Sequence, residues 1–383
     1  MKRIVYVLIA VLFSPSVFAT GGSPAPQEIV ESSSFENDLE GWSVSATDVG
    51  GNAPIDWSLT RSQDMAKEGR TSMKFYLENF NDAGKIWIEK AFAVEPNQIY
   101  HVDVEYALAS NEPSTDVVSP FTVITGVLKQ SPKTTVDLTP AFKNSTRKPS
   151  SESGYEWFNR KYEFAVRSDD QGVLYVVIGI WGTWEVRKTY YVDDVHIALT
   201  KKPEGTQFYS FENDMEGWTP NATDLDFGSS SIDWSIARIQ PYALGAEDGA
   251  SAIEFDINNV NQKGKIWIER PFLVERGSKY KLNIEYGLNS GDRGSNPRFT
   301  IITGVLRRRP ETADDLTPAY QEDATSGYWG WLHKNYNFKV KSKKSDVLYV
   351  VIGIRGTEVV RQQNPHRRYH IDSVCVTLTK ISK

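Results

Sequence analysis

The sequence predicts an all-β protein of two tandem β-sandwich domains. Three observations carry this: an internal duplication, alternating hydrophobicity within each copy, and no long segment with helical spacing and proper caps. At 383 residues the chain is long enough for two domains. With 40% hydrophobic and 12% aromatic residues it can bury real cores, which excludes a disordered chain.

The first element is a secretory signal, predicted over residues 1–19. Lys2 and Arg3 form the charged start, Ile4 to Phe13 the apolar run, and Val17-Phe18-Ala19 the cleavage pattern. Residues 20–30, with Gly, Pro and Ser, read as an unstructured lead-in. No other stretch approaches 18 apolar residues, so a secreted protein in the periplasm or outside the cell is expected. The sole cysteine, Cys375, has no internal disulfide partner.

The duplicated region follows. Ser34 to Trp42 reads SFENDLEGW and Ser210 to Trp218 reads SFENDMEGW. GKIWIE recurs at Gly84 and Gly264, ITGVL at Ile124 and Ile302, DLTPA at Asp137 and Asp315, and LYVVIGI at Leu174 and Leu348. Copies this long are whole domains rather than solenoid repeats, and they set the boundaries 31–200 and 207–383. Residues 201–206 form the linker, whose shortness and proline limit the freedom between the copies.

Within each copy the period is that of strands. Ile86 and Ile88 alternate with Lys85, Trp87 and Glu89. Tyr100, Val102, Val104, Tyr106 and Leu108 alternate with His101, Asp103, Glu105 and Ala107, and Tyr280 to Leu288 repeats the pattern. Tyr175 to Ile180 is apolar on both faces, as an interior strand is.

Charge divides unevenly. The chain as a whole is net −6, which disfavours general nucleic-acid binding, yet residues 293–383 hold 16 basic and 8 acidic side chains. Arg307, Arg308 and Arg309 replace Lys129, Gln130 and Ser131, and Arg361, His366, Arg367 and Arg368 precede the last strand. A guanidinium fork pairs with carboxylate or sulfate, so the second copy suits an acidic polysaccharide; a solvated basic surface is the ordinary alternative.

The opening Phe-Glu…Gly-Trp, the mid-domain glycines Gly69 and Gly249, and the endings Tyr-Val-Asp-Asp-Val and His-Ile-Asp-Ser-Val together resemble CenC-type carbohydrate-binding modules. The resemblance covers both copies nearly end to end. It implies galactose-binding-like jelly rolls, and a structural calcium between first and last strands, held by Glu36 with Asp193 and by Glu212 with Asp372. The alternative is that these carboxylates cap turns by accepting nearby amides.

Sugar rings stack on aromatic faces while their hydroxyls pair with polar side chains. Trp87 beside Glu89, and Trp267 beside Glu269, are therefore candidate platforms, with Glu105 and Glu285 on the polar face of the next strand. The alternative is that the tryptophans are structural. Loop aromatics compete for the role: Tyr155, Trp157 and Phe158 in copy one, and Tyr328, Trp329 and Trp331 in copy two. Trp181 and Trp184 complete the set, with Arg355 at the matching position of copy two. The five histidines never recur at equivalent positions, and neither HExxH nor GxSxG occurs. These features predict a non-catalytic protein with two linked polysaccharide- or glycan-binding modules. A structural or adhesive role through protein contact or self-association is the second reading, and a polysaccharide-cleaving enzyme the third.

Overall fold

The computed structural model describes residues 28–50, 54–110, 121–146, 156–182, 187–227, 230–240, 246–258, 263–290, 298–317, 319–325, 331–356 and 367–382. The expected signal peptide and Tyr155, Trp184, Tyr328, Trp329, Arg361 and His366 lie outside these residues.

The first copy runs β1 (Glu28–Ser33), β2 (Ser43–Thr47), β3 (Asp56–Ser62), β4 (Ser72–Glu78), β5 (Lys85–Ala93), β6 (Ile99–Ser110) and β7 (Phe121–Leu128). A short helix α1 (Thr135–Leu138) with a following turn leads to β8 (Phe142–Thr146), β9 (Glu156–Arg167), β10 (Val173–Gly182) and β11 (Arg187–Lys201). One sheet has the order β3-β4-β11-β6-β9, with β1 also on β11; the other is β2-β5-β10-β7-β8. β1 begins at Glu28, inside the stretch expected to be unstructured, because Glu28, Ile29 and Val30 pair with Thr200, Leu199 and Ala198.

The second copy runs β12 (Gln207–Tyr209), β13 (Thr219–Thr223), the hairpin β14 (Asp226–Phe227) and β15 (Ser230–Ser231), β16 (Asp233–Ile239), β17 (Ala252–Asn258), β18 (Lys265–Leu273), β19 (Lys279–Ser290) and β20 (Arg298–Leu306). Helix α2 (Ala313–Leu316) precedes β21 (Tyr320–Thr325), β22 (Leu332–Lys341), β23 (Val347–Gly356) and β24 (Arg367–Ser382). Its sheets are β16-β17-β24-β19-β22, with β12 on β24, and β13-β18-β23-β20-β21.

Alternation fixes which face of each strand is buried. Ile86 and Ile88 from one sheet meet Val102, Val104, Tyr106 and Leu108 from the other in the first core. Ile266, Ile268, Leu282 and Ile284 do the same in the second. The repeated SFEND(L/M)EGW segment is a turn that seats a tryptophan against the core. Trp42 N–H donates to Leu39 C=O at 2.8 Å and its Nε1 to Ser33 Oγ at 3.0 Å, with Glu40 and Gly41 at φ 49° and 81°. Glycine takes the latter conformation without a Cβ clash. The fold is the all-β tandem sandwich expected, and among the described residues no helix is long and apolar enough to cross a membrane.

Candidate functional site

Trp87 and Trp267 do point away from the main cores, as their register requires, but neither reaches water. Each is 1% exposed or less. A second apolar layer covers them: Trp87 packs with Ile124, Val177, Leu138 and Ala141, and Trp267 with Ile302, Val351, Leu316 and Ala319. The DLTPA segment is thus a lid, and Gly126 and Gly304 let it approach the sheet, since a Cβ at either would fall 2.6 Å from the lid alanine. Beneath the lid the indole Nε1 of Trp87 donates to Glu89 at 2.8 Å, and that of Trp267 to Glu269 at 2.9 Å. Ser131 holds the other oxygen of Glu89, and Arg309 that of Glu269. These four residues form buried polar networks rather than a sugar platform; the alternating pattern gave the face correctly, but the lid that covers it lies some fifty residues downstream.

The expected groove joining Trp87 to Glu105 does not exist either. β5 and β6 are consecutive in sequence but belong to different sheets, so their outward residues emerge on opposite sides of the sandwich. Glu105 instead lies on the outer face of β6 against β9. Across this ladder Ala109 pairs with Trp157, Ala107 with Asn159, Glu105 with Lys161 and Asp103 with Glu163. Lys161 Nζ donates to Glu105 Oε1 at 2.6 Å, which raises the lysine pKa.

In the second copy the matching face meets the first. Ile99 and Ala165 from copy one pack with Phe208 and Cys375 from copy two. Lys202, in the linker, pairs with Glu285, and Lys129 reaches Asp248 at 2.8 Å. Glu285 is 1% exposed, so it is not available to a ligand in the manner expected. Burial alone would raise its carboxyl, but His101 and Lys202 outweigh this and hold it at about 2. For His101 burial works downward, and the Glu285 carboxylate reverses it to a net rise. Cys375 is pushed up to about 12, first by burial and then by the Glu285 charge.

Beside this contact the two copies leave a cleft of about 520 Å³. One wall is β9, with Asn159, Lys161, Tyr162 and Glu163; the other is Trp331, His333 and Lys334 at the start of β22. Trp331 is only 4% exposed, and its indole Nε1 is buried without a hydrogen-bond partner. Trp157 is half-buried on the outer ladder that leads into the cleft. Of the expected residues Trp331 lines the cleft, while Glu105 and Trp157 lie on the β6–β9 ladder whose Asn159, Lys161 and Glu163 form its other wall. Trp181 lies elsewhere, on the other sheet, with Lys85 stacked 4.7 Å from its ring and its Nε1 donating to Asp82 C=O at 2.9 Å. Arg355 takes its place in copy two, opposite Lys265.

The arginine triplet is largely committed. Arg309 pairs with Glu269, Arg308 with Asp315, and Arg307 Nε donates to Lys341 C=O at 2.8 Å. The expected metal carboxylates bracket one loop in each copy. Glu36 Oε1 accepts from the Arg70 and Thr71 amides and Asp193 Oδ2 from those of Lys67 and Glu68. Glu212 Oε1 accepts from Ala250 and Ser251, and Asp372 Oδ2 from Glu247 and Asp248. Burial raises the pKa of Asp193 and, more strongly, of Asp372.

Sequence reasoning named neither Asn159, Lys161, Lys202 nor His333 as a site residue. His101 and His333 had a signal, being histidines present in only one copy each, but their meeting depends on how the copies dock.

No family model matches the chain, and no curated protein matches it. Among solved structures it is similar to the tandem CBM22-1–CBM22-2 domain of Paenibacillus barcinonensis Xyn10C, at 13% identity and TM-score 0.29, covering 94% of this chain and 100% of that one. It is also similar to TmCBM61 in complex with beta-1,4-galactotriose, at 10% identity and TM-score 0.26, covering 46% of this chain and 99% of that one. A third is the K3 cleaved adhesin domain of Lys-gingipain from Porphyromonas gingivalis W83, at 14% identity and TM-score 0.29, covering 45% and 99%.

Proposed function

We propose that the protein is a secreted, non-catalytic glycan-binding protein, and that the glycan lies along the outer face of β9 into the cleft between the copies. The cleft itself carries this reading. Its volume of about 520 Å³ suits an oligosaccharide segment, and it presents an aromatic wall at Trp331 opposite the hydrogen-bonding groups of Asn159, Lys161 and Glu163. Half-buried Trp157 offers a ring at the end of the ladder, and outward side chains along a strand recur about every 7 Å, a spacing a linear chain can follow.

A structural calcium in each copy belongs to the same proposal. Glu36 with Asp193, and Glu212 with Asp372, would tie the first and last strands of a copy to one loop. A hard cation there would relieve the desolvation that raises the Asp193 and Asp372 carboxyls.

Affinity electrophoresis against a panel of neutral and acidic polysaccharides tests the reading. Trp157→Ala and Trp331→Ala should each abolish retardation by the glycan that slows the parent protein, while Trp181→Ala leaves it unchanged. Loss with Trp181→Ala alone would move the site to the other sheet, and no retardation by any glycan would end the proposal.

A further inference from the structure

His101, Glu285 and His333 come from different copies and converge where the copies touch. His101 Nδ1 lies 3.4 Å from Glu285 Oε2, and His333 Nε2 lies 3.7 Å from the same oxygen. All three donor atoms fall within 4.8 Å of one another. A tetrahedral ion with ligand bonds near 2.0–2.2 Å separates its donors by about 3.4 Å, so small movements of side chains would close this set around one cation. The imidazole rings stand 5.8 Å apart at 60°, tilted rather than stacked.

We propose that these three residues form a zinc-type metal site that pins the two modules together. Two imidazoles and one carboxylate select a borderline transition ion such as Zn²⁺ or Co²⁺, and disfavour calcium or magnesium, which take oxygen. The surroundings fit. Glu285 is almost fully buried, and its Oε2 and His101 Nδ1 approach without completing a hydrogen bond of good geometry, as two groups waiting on a shared cation would. Lys202 holds the other carboxylate oxygen and so orients it. On its far side His101 Nε2 faces Asp103 Oδ2 at 3.4 Å, with Glu163 in the same group. A carboxylate behind a ligating imidazole fixes its tautomer and raises its basicity. Neither histidine has a counterpart in the other copy, where Lys281 and Asn159 stand, so the site exists only between them. A metal bound there stabilises only the docked arrangement.

The experiment is Zn²⁺ titration by calorimetry and Co²⁺ uptake by visible absorption on the full mature chain, with His101→Ala, His333→Ala and Asp103→Asn. The parent protein should take up one equivalent of Co²⁺ at this site, with the intense d–d bands of a tetrahedral ion. His101→Ala and His333→Ala should each lose those bands, and Asp103→Asn should weaken Zn²⁺ binding about 10- to 100-fold. X-ray absorption on the zinc-loaded parent protein counts ligands without any substitution, and two imidazoles with one carboxylate is the expected set. No tetrahedral uptake, an all-oxygen shell, or loss with only one of the two histidine variants would overturn the proposal. The glycan reading is untouched by any of these results, because its own test needs no added transition metal.

Discussion

Trp87 lies directly against Gly179: a Cβ added to the glycine would sit 2.5 Å from the Cβ of the tryptophan. Gly353 and Trp267 repeat the contact at the same 2.5 Å. Gly179→Ala should therefore destabilise the first module by about 1–3 kcal/mol through overpacking, and Trp87→Ala by about 3–5 kcal/mol through the cavity left behind. Chemical denaturation followed by circular dichroism measures both. A Trp87→Ala protein as stable as the parent would show that the lid does not bury this ring.

The lid has its own acid sensitivity. Asp137 accepts from the Lys133 and Thr134 amides, and the Lys133 contact leads the effects that lower its pKa. Because its folded pKa is depressed, its contribution is present above the unfolded value and is lost as pH falls through the folded one. Asp137→Asn should cost about 1 kcal/mol near neutrality, and this difference should vanish in strong acid. Stability curves at several pH values check it; a constant difference down to pH 2 would refute it.

Docking of the modules should be readable at one sulfur. Cys375 is buried between Ile99, Ala165 and Phe208, with its pKa at about 12. At pH 8 a disulfide reagent should label it on the order of a thousandfold more slowly than the unfolded chain. Rapid labelling of the native protein would mean that the contact is open in solution.

Lys202→Met leaves Glu285 buried without its cation. Removing one partner of a buried pair typically costs about 3–5 kcal/mol, and here the two modules can escape by separating. Small-angle scattering should show a larger radius of gyration and Cys375 should label faster, with each module's own unfolding unchanged. An unaltered radius would show that docking does not depend on the Lys202–Glu285 pair.

Calcium should raise the melting temperature of the protein. At about 100 times Kd a ligand adds about 2.7 kcal/mol to the state that binds it. Glu36→Gln with Glu212→Gln should remove the response. Equal melting with calcium and with chelator would leave these carboxylates as loop caps.

Much of the fold was legible because each copy states it independently. The alternation at Ile86–Glu89 and Tyr100–Leu108 marked which residues face the core, and the structure agrees. The pattern cannot report what covers the other face. Trp87 looked solvent-facing because Leu138 and Ala141, which seal it, are distant in sequence. Nor does alternation reveal that β5 and β6 part company into separate sheets, which dissolved the groove drawn between Trp87 and Glu105. Glu285 read as an open polar residue for a similar reason, since only docking buries it.

Apart from Glu285, whose counterpart is Glu105, the pieces that join the halves are ones the halves do not share. Ile99, His101 and Ala165 serve as the plug of the first module; Phe208, Glu285, His333 and Cys375 serve as the socket of the second. The order of the halves is therefore directional. A chain made from two first modules would have two plugs and no socket, and would hang as separate beads on a string despite an unaltered fold in each bead.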